Sequence, residues 1–131
     1  MVGCEAAEYL AERGHEVAIV EMKDVIAADV TPENRRYMFA NFEEHHVLLR
    51  PGAKVGQFYP DGVDYTLADG TAGSLRGYDS VVLAMGSRPN AALKETAEKI
   101  TPQVFVIGEA ARAPGNAVLA TGDALDAALK I

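Results

Sequence analysis

Gly3 and Glu21 are the two positions where residue type and spacing together suggest chemistry. A glycine opening a helix lets that helix pack close to the strand beneath it, and the helix start offers free N–H groups to a pyrophosphate. Glu21 lies 18 residues further on, at the end of the next apolar run, Val17-Ala18-Ile19-Val20. An acid at that distance accepts hydrogen bonds from a ribose 2′-OH and repels a 2′-phosphate. The pair therefore reads as the back half of a dinucleotide-binding βαβ unit, with NAD favoured over NADP, although Lys23 is close enough to blur the charge. The first strand of such a unit and its first two glycines are not in the sequence.

Other reactive side chains offer less. Cys4 follows the glycine on a small-residue face and reads as a buried small hydrophobe. Glu5 sits in the first helical turn, where the dipole stabilises an acid whether or not it binds anything. His15 falls in a turn, while His45 and His46 are adjacent and point apart, so no metal set forms around them. Serines occur only at Ser74, Ser80 and Ser87, none in a nucleophile-elbow context. Glu43 and Glu44 read as a solvated helix face. No residue is assigned an acid–base or covalent catalytic role, and hydride transfer between cofactors needs none.

Two strand ends could also meet a ligand. Ala84-Met85-Gly86 closes the apolar run Ser80–Ala84 in a sharp turn, the kind of place where open α/β sheets bind ligands. Gly108-Glu109 closes Val104–Ile107. There a carboxylate could accept from a polyol hydroxyl, and the helix start at Asn116-Ala117 could face an electron-rich ring oxygen.

The elements that must hold these positions follow from patterning. Residues 2–13 read as a helix with Val2, Ala6, Ala7, Leu10 and Ala11 on one face and Gly14 as its stop. Thr31-Pro32 starts a second helix running to about His45, with Tyr37, Met38, Phe39 and Phe42 on its apolar side. Val47–Leu49 reads as a short strand. Asp61-Gly62 and Asp69-Gly70 divide residues 53–76 into a three-stranded antiparallel meander. Buried strands at Ser80–Ala84 and Val104–Ile107, a short helix over 91–99 and a C-terminal helix from about Ala117 complete the chain. This is α/β, Rossmann-like, with a mainly parallel sheet, an antiparallel meander as crossover and the first strand missing. The expected result is a rearranged sheet, or an edge completed by another chain, as in a homodimer.

Composition narrows the class. The chain has 131 residues, 49% hydrophobic and 24% charged, as in an ordinary globular protein. A net charge of −7 argues against nucleic acid. No apolar run reaches the roughly 20 residues of a membrane span, and no secretory signal is present. One cysteine excludes an internal disulfide and suits a reducing cytoplasm.

Gly3-Cys4-Glu5, the Glu21 strand, the meander, Val82-Leu83-Ala84-Met85-Gly86-Ser87-Arg88-Pro89-Asn90 and Val106-Ile107-Gly108-Glu109-Ala110 occur in one order. Together they resemble the pyridine-nucleotide half of the flavoproteins with two dinucleotide-binding domains. The resemblance is nearest to the C-terminal region of NADH:flavin oxidoreductases related to 2,4-dienoyl-CoA reductase and 2-enoate reductase. It implies an NAD(P)H-binding part over residues 1–100 and the last segment of a split FAD domain over 101–131. Gly3 then matches the last fingerprint glycine, Glu5 the acid near the nicotinamide carboxamide, and Glu21 the adenosine-ribose acid. Ala84, Met85 and Gly86 match a turn beside the bound nucleotide, with Met85 in place of threonine. Gly108 and Glu109 match the pair holding the FAD ribityl chain, Glu109 being one methylene longer than the family's aspartate. Ala117 and Val118 match the helix start under the flavin. The implied protein is the NAD(H)-binding piece of a flavin-dependent enzyme that passes hydride from NADH to FAD, truncated at its N-terminus and inactive alone, with the missing upstream part as its partner. A small adenine-nucleotide-binding or partner-docking module without turnover, and a folded remnant that binds nothing, remain as alternatives.

Overall fold

The computed structural model describes all 131 residues. They divide into two compact units, Met1–Ala84 and Met85–Ile131.

The first unit opens with α1 (Val2–Ala11) and β1 (Ala18–Val20), followed by α2 (Pro32–Glu44) and β2 (Leu48–Arg50). β1 and β2 are parallel, with Ile19 opposite Leu49. Helix and sheet bury a common core of Cys4, Ala7, Ala11, Ile26, Ala27, Met38, Phe42 and Val47. The buried stripe of α1 is Cys4, Ala7 and Ala11, spaced three and four apart, as a helix face requires. Val2, expected on that face, is instead exposed. On α2 the inward residues are Met38 and Phe42, whereas Tyr37 faces solvent. Phe42 is the largest fully buried side chain, and its ring packs 5.7 Å from that of Phe39. Pro32 stands at the start of α2 as expected, but the Thr31 hydroxyl makes no capping bond.

The meander forms as anticipated: β3 (Ala53–Tyr59), β4 (Gly62–Leu67) and β5 (Ala72–Arg76), in that order and antiparallel. Tyr59 pairs with Gly62 around the Pro60-Asp61 turn. Gly62 is required there, because a Cβ would lie 2.0 Å from the Leu75 carbonyl oxygen. Val63 and Leu75 supply the buried side of the hairpin. On the other side, Arg76 stacks 4.5 Å over the Tyr59 ring and donates to Asp64 at 2.6 Å, while the Tyr59 hydroxyl donates to the other Asp64 oxygen.

Two expected strands are absent. Ser80–Ala84 carries no ladder, and Val81, Val82 and Leu83 are 49%, 62% and 68% exposed. Val104–Ile107 likewise pairs with nothing. The sequence has the apolar, β-branched content of strands, but a strand exists only through hydrogen bonds to a neighbour. All five strands lie in the first unit, so Val104–Ile107 has no strand of its own unit to join.

The second unit consists of a one-turn-and-a-half α3 (Lys94–Glu98), a 3-10 turn at Gly108–Ala110 and α4 (Ala117–Ala128). None of its residues is buried. Asn116 caps α4, its side-chain oxygen accepting from the Leu119 N–H. No helix of the chain is long and apolar enough to cross a membrane.

Candidate functional site

In the first unit, the ladder between β1 and β2 carries one residue beyond β1. The Glu21 N–H donates to the Arg50 carbonyl at 3.0 Å, and the Glu21 carbonyl accepts from Ala53 N–H at 2.9 Å. The N–H and the C=O of Glu21 are thus both held by the one neighbouring segment, Arg50 to Ala53, at the carboxyl end of the parallel pair. One of its carboxylate oxygens accepts from the Lys23 N–H at 2.9 Å, which fixes the side chain and leaves the other oxygen available as an acceptor.

Burial pushes the Cys4 thiol above the usual thiol range. The N-terminal ammonium opposes that rise, and the carboxylates of Asp29, Glu21 and Glu5 add to it. The Met1 ammonium itself is paired with Asp29 at 3.1 Å, and this hydrogen bond holds the Asp29 carboxyl below the ordinary range. The Met1 carbonyl takes the N–H groups of both Cys4 and Glu5. Of the first-turn amides, those of Val2 and Gly3 therefore have no intrahelical acceptor. Gly3 also meets Ala84: a Cβ at Gly3 would stand 2.8 Å from that of Ala84. The close approach that a glycine allows is thus made to residue 84. Glu5 is exposed in the first turn of α1.

In the second unit, Met85 is 86% exposed and Gly86 follows it in the left-handed region at φ 79°. Glu109 is held from within its own unit. Its Oε1 accepts from Gly115 N–H at 2.9 Å and from the Ser87 hydroxyl at 3.3 Å. The Gly108 N–H donates to Asp123 at 2.9 Å, and Arg112 pairs with the same carboxylate. The Gly108 amide, followed by Arg112, holds the Asp123 carboxyl below the usual aspartate range. At the start of α4 the Asn116 cap uses the Leu119 N–H and the Asn116 carbonyl takes that of Ala120. The Ala117 and Val118 amides carry no intrahelical bond, and both residues are exposed.

The structure thus brings Gly3 to Ala84 and holds Glu21 at the carboxyl end of the parallel pair. It places Gly108 and Glu109 beside the loop that leads to Ala117 and Val118. Three positioning residues escaped the reading of the sequence: Asp29, Ser87 and Asp123. Asp123 lies 15 residues beyond Gly108 in a helix, and no short-range spacing points to it. A carboxylate three residues before Pro32, as Asp29 is, carries no signal of its own.

Taken together, these features define an α/β protein with a parallel strand pair ending in a carboxylate and a separate three-stranded antiparallel sheet. Residues 1–125 match the family described as pyridine nucleotide-disulphide oxidoreductase. The chain belongs to that family, whose members are NAD(H)- and FAD-dependent oxidoreductases. It is 40% identical over 111 residues to an NADH oxidase of Thermoanaerobacter brockii, a match covering 84% of this chain and 17% of that protein. It is 38% identical over 109 residues to a bilirubin reductase of Mediterraneibacter gnavus, covering 83% and 17% respectively. Among solved structures it is similar to 2-naphthoyl-CoA reductase in complex with 2-naphthoyl-CoA. There the TM-score is 0.78 and the identity 28%, across 98% of this chain and 19% of that one. The chain spans less than one fifth of each of these relatives.

Proposed function

We propose that this chain is the NAD(H)-binding piece of a flavin-dependent NADH oxidoreductase related to 2,4-dienoyl-CoA and 2-enoate reductases. Its partner is the remaining part of that enzyme, and its setting is the cytoplasm. In the parent enzyme, bound NADH supplies a hydride to FAD. Residues 1–100 contribute to the nicotinamide dinucleotide site and 101–131 to the flavin site.

The observation that carries this reading is Glu21, anchored by its own backbone and by Lys23 with one carboxylate oxygen still free. That oxygen suits the adenosine ribose hydroxyls and opposes a 2′-phosphate. The Val2 and Gly3 amides are a small cradle for a pyrophosphate, and the Asp29 carboxylate near them works against an anion unless its ammonium partner stays in place. Ala84, Met85 and Gly86 line the nucleotide side, and Glu5 takes the carboxamide end. For the flavin, the Ala117 and Val118 amides suit an electron-rich ring edge. Glu109 meets the ribityl chain with its second oxygen, since the first is taken by Gly115 and Ser87.

Calorimetric titration with NADH, NADPH and ADP-ribose tests the assignment. NADH and ADP-ribose should bind and NADPH more weakly, with Glu21→Ala lowering NADH affinity by roughly 1–3 kcal/mol, as when a charged hydrogen-bond partner is removed. Unchanged affinity in Glu21→Ala rejects the ribose role. Without the rest of the enzyme, NADH and FAD together should give no turnover; steady NADH oxidation by the isolated chain would reject the inactive-piece reading.

A further inference from the structure

Discrimination at Glu21 needs more than a carboxylate. An acid on a mobile loop can turn away from a 2′-phosphate, and then it rejects nothing. Rejection requires the loop to be held before the ligand arrives. Residues 22–25 are all exposed, so this loop has no burial of its own to hold it.

Two anchors hold it from outside. At its start, the Gly52 N–H donates to the Lys23 carbonyl at 2.9 Å, while the Lys23 N–H donates to the Glu21 carboxylate at 2.9 Å. Gly52 stands in the Pro51-Gly52 turn at φ 64°, in the left-handed region that favours glycine. A Cβ there would meet only Asp24 Oδ1, at 3.5 Å, so backbone conformation rather than space calls for the glycine. At the far end, Ile26 and Ala27 are packed into the core of the first unit. The half-buried Arg35 of α2 donates its Nε to the Ile26 carbonyl at 3.1 Å, and its guanidinium lies 4.5 Å from the centre of the Phe39 ring. Ala27 adopts a left-handed φ of 55°, which a residue with a Cβ keeps only where its surroundings enforce it. The Arg35 bond to the preceding carbonyl is one such constraint.

We infer that Gly52 and Arg35 are positioning residues that fix the loop 22–26 and so let Glu21 discriminate between NADH and NADPH. The inference rests on the ribose role proposed for Glu21. Neither residue acts by touching the ligand. Gly52 acts through Lys23 on the carboxylate, and Arg35 keeps the far end of the loop from drawing Lys23 away. With either anchor lost, the acid can retreat, and the exposed Lys23 ammonium can approach a 2′-phosphate. Both changes favour NADPH relative to NADH. A mere loss of folded protein would instead weaken both ligands by one common factor.

Calorimetric titration of the full chain with NADH and with NADPH tests it, together with amide exchange in the absence of ligand. Arg35→Ala and Gly52→Ala should each narrow the ratio of NADH to NADPH affinity by roughly fivefold or more, as for members of one hydrogen-bond network. In Arg35→Ala the Lys23 and Gly52 amides should also exchange faster than in the unaltered chain. Gly52→Asn should keep the ratio nearly unchanged, because asparagine tolerates the left-handed region better than alanine. If Gly52→Ala fails to fold, Arg35→Ala decides. An unchanged ratio in Arg35→Ala overturns the inference and leaves the ribose role of Glu21 standing. Flat heats with both dinucleotides in the unaltered chain reject the ribose role itself, and this inference with it.

Discussion

Cys4 shows how one side chain reports on its surroundings. It packs among Ala7, Ala11 and the α2 side chains, and loss of hydration is the main cause of its raised pKa, with three carboxylates adding to it. A group whose folded pKa is raised contributes stability that is complete below the unfolded pKa and lost as pH rises through the folded one. The thiol should thus react with a disulfide reagent at pH 8 far more slowly in the folded chain than after denaturation. Equal rates in the two states would show that the thiol is accessible and ionised. Glu21 is the contrasting case: the Lys23 N–H fixes one of its carboxylate oxygens and the fold leaves the other free. The burial of Cys4 was legible from its small-residue face, and the place of Glu21 at the strand end from the apolar run before it. Tyr37 and Val2 were misread because apolar type was taken for inward direction, whereas rotation about the helix axis assigns the face.

At the scale of elements, Asp123 ties α4 to the 3-10 turn by accepting from Gly108 N–H and Arg112. Its folded pKa is depressed, so this tie contributes above the unfolded aspartate value of 3.8 and is lost as pH falls through the lower folded one. Amide exchange at Gly108 should accelerate as pH is lowered through that window, after correction for the intrinsic rate. In Asp123→Ala the same amide should be unprotected at neutral pH, whereas retained protection there would assign the ordering of the turn to other contacts. The meander was readable in advance because turn residues act locally: Asp69-Gly70 lies in the β4–β5 turn with Gly70 at φ 87°, while at the other Asp-Gly pair the turn is Pro60-Asp61 and Gly62 opens β4 against Leu75 of β5. Ser80–Ala84 and Val104–Ile107 were not, since their apolar runs state a preference while the pairing partner lies elsewhere in the chain or outside it.

Across the molecule, burial is unevenly shared. The first unit holds every buried residue, with Phe42 at its centre and only 1% exposed. Phe42→Ala should lower the stability of that unit by about 3–5 kcal/mol in urea denaturation. Residues 85–131 bury none of their large apolar side chains; Val118, Leu125, Leu129 and Ile131 are all at least 60% exposed. Limited proteolysis should therefore cut within 85–131 first and leave Met1–Ala84 as the resistant product, and native-state exchange should find α4 opening before α2. Initial cleavage in α2 would contradict this ordering.

The amino-acid order alone determined the α/β class, the helix starts at Pro32 and Asn116, the meander with its turns, and the candidate carboxylate Glu21, since each depends on neighbours a few residues away. The family resemblance rests on the same kind of information, the order and spacing of short motifs. Tertiary structure alone decided which apolar runs became strands, which carboxylate oxygens remained free, and that Gly3 meets Ala84 and Gly108 meets Asp123. Those outcomes depend on groups far apart in the chain arriving within hydrogen-bonding or van der Waals distance. A local pattern expresses a preference, and only the presence of a partner at the right place turns it into structure.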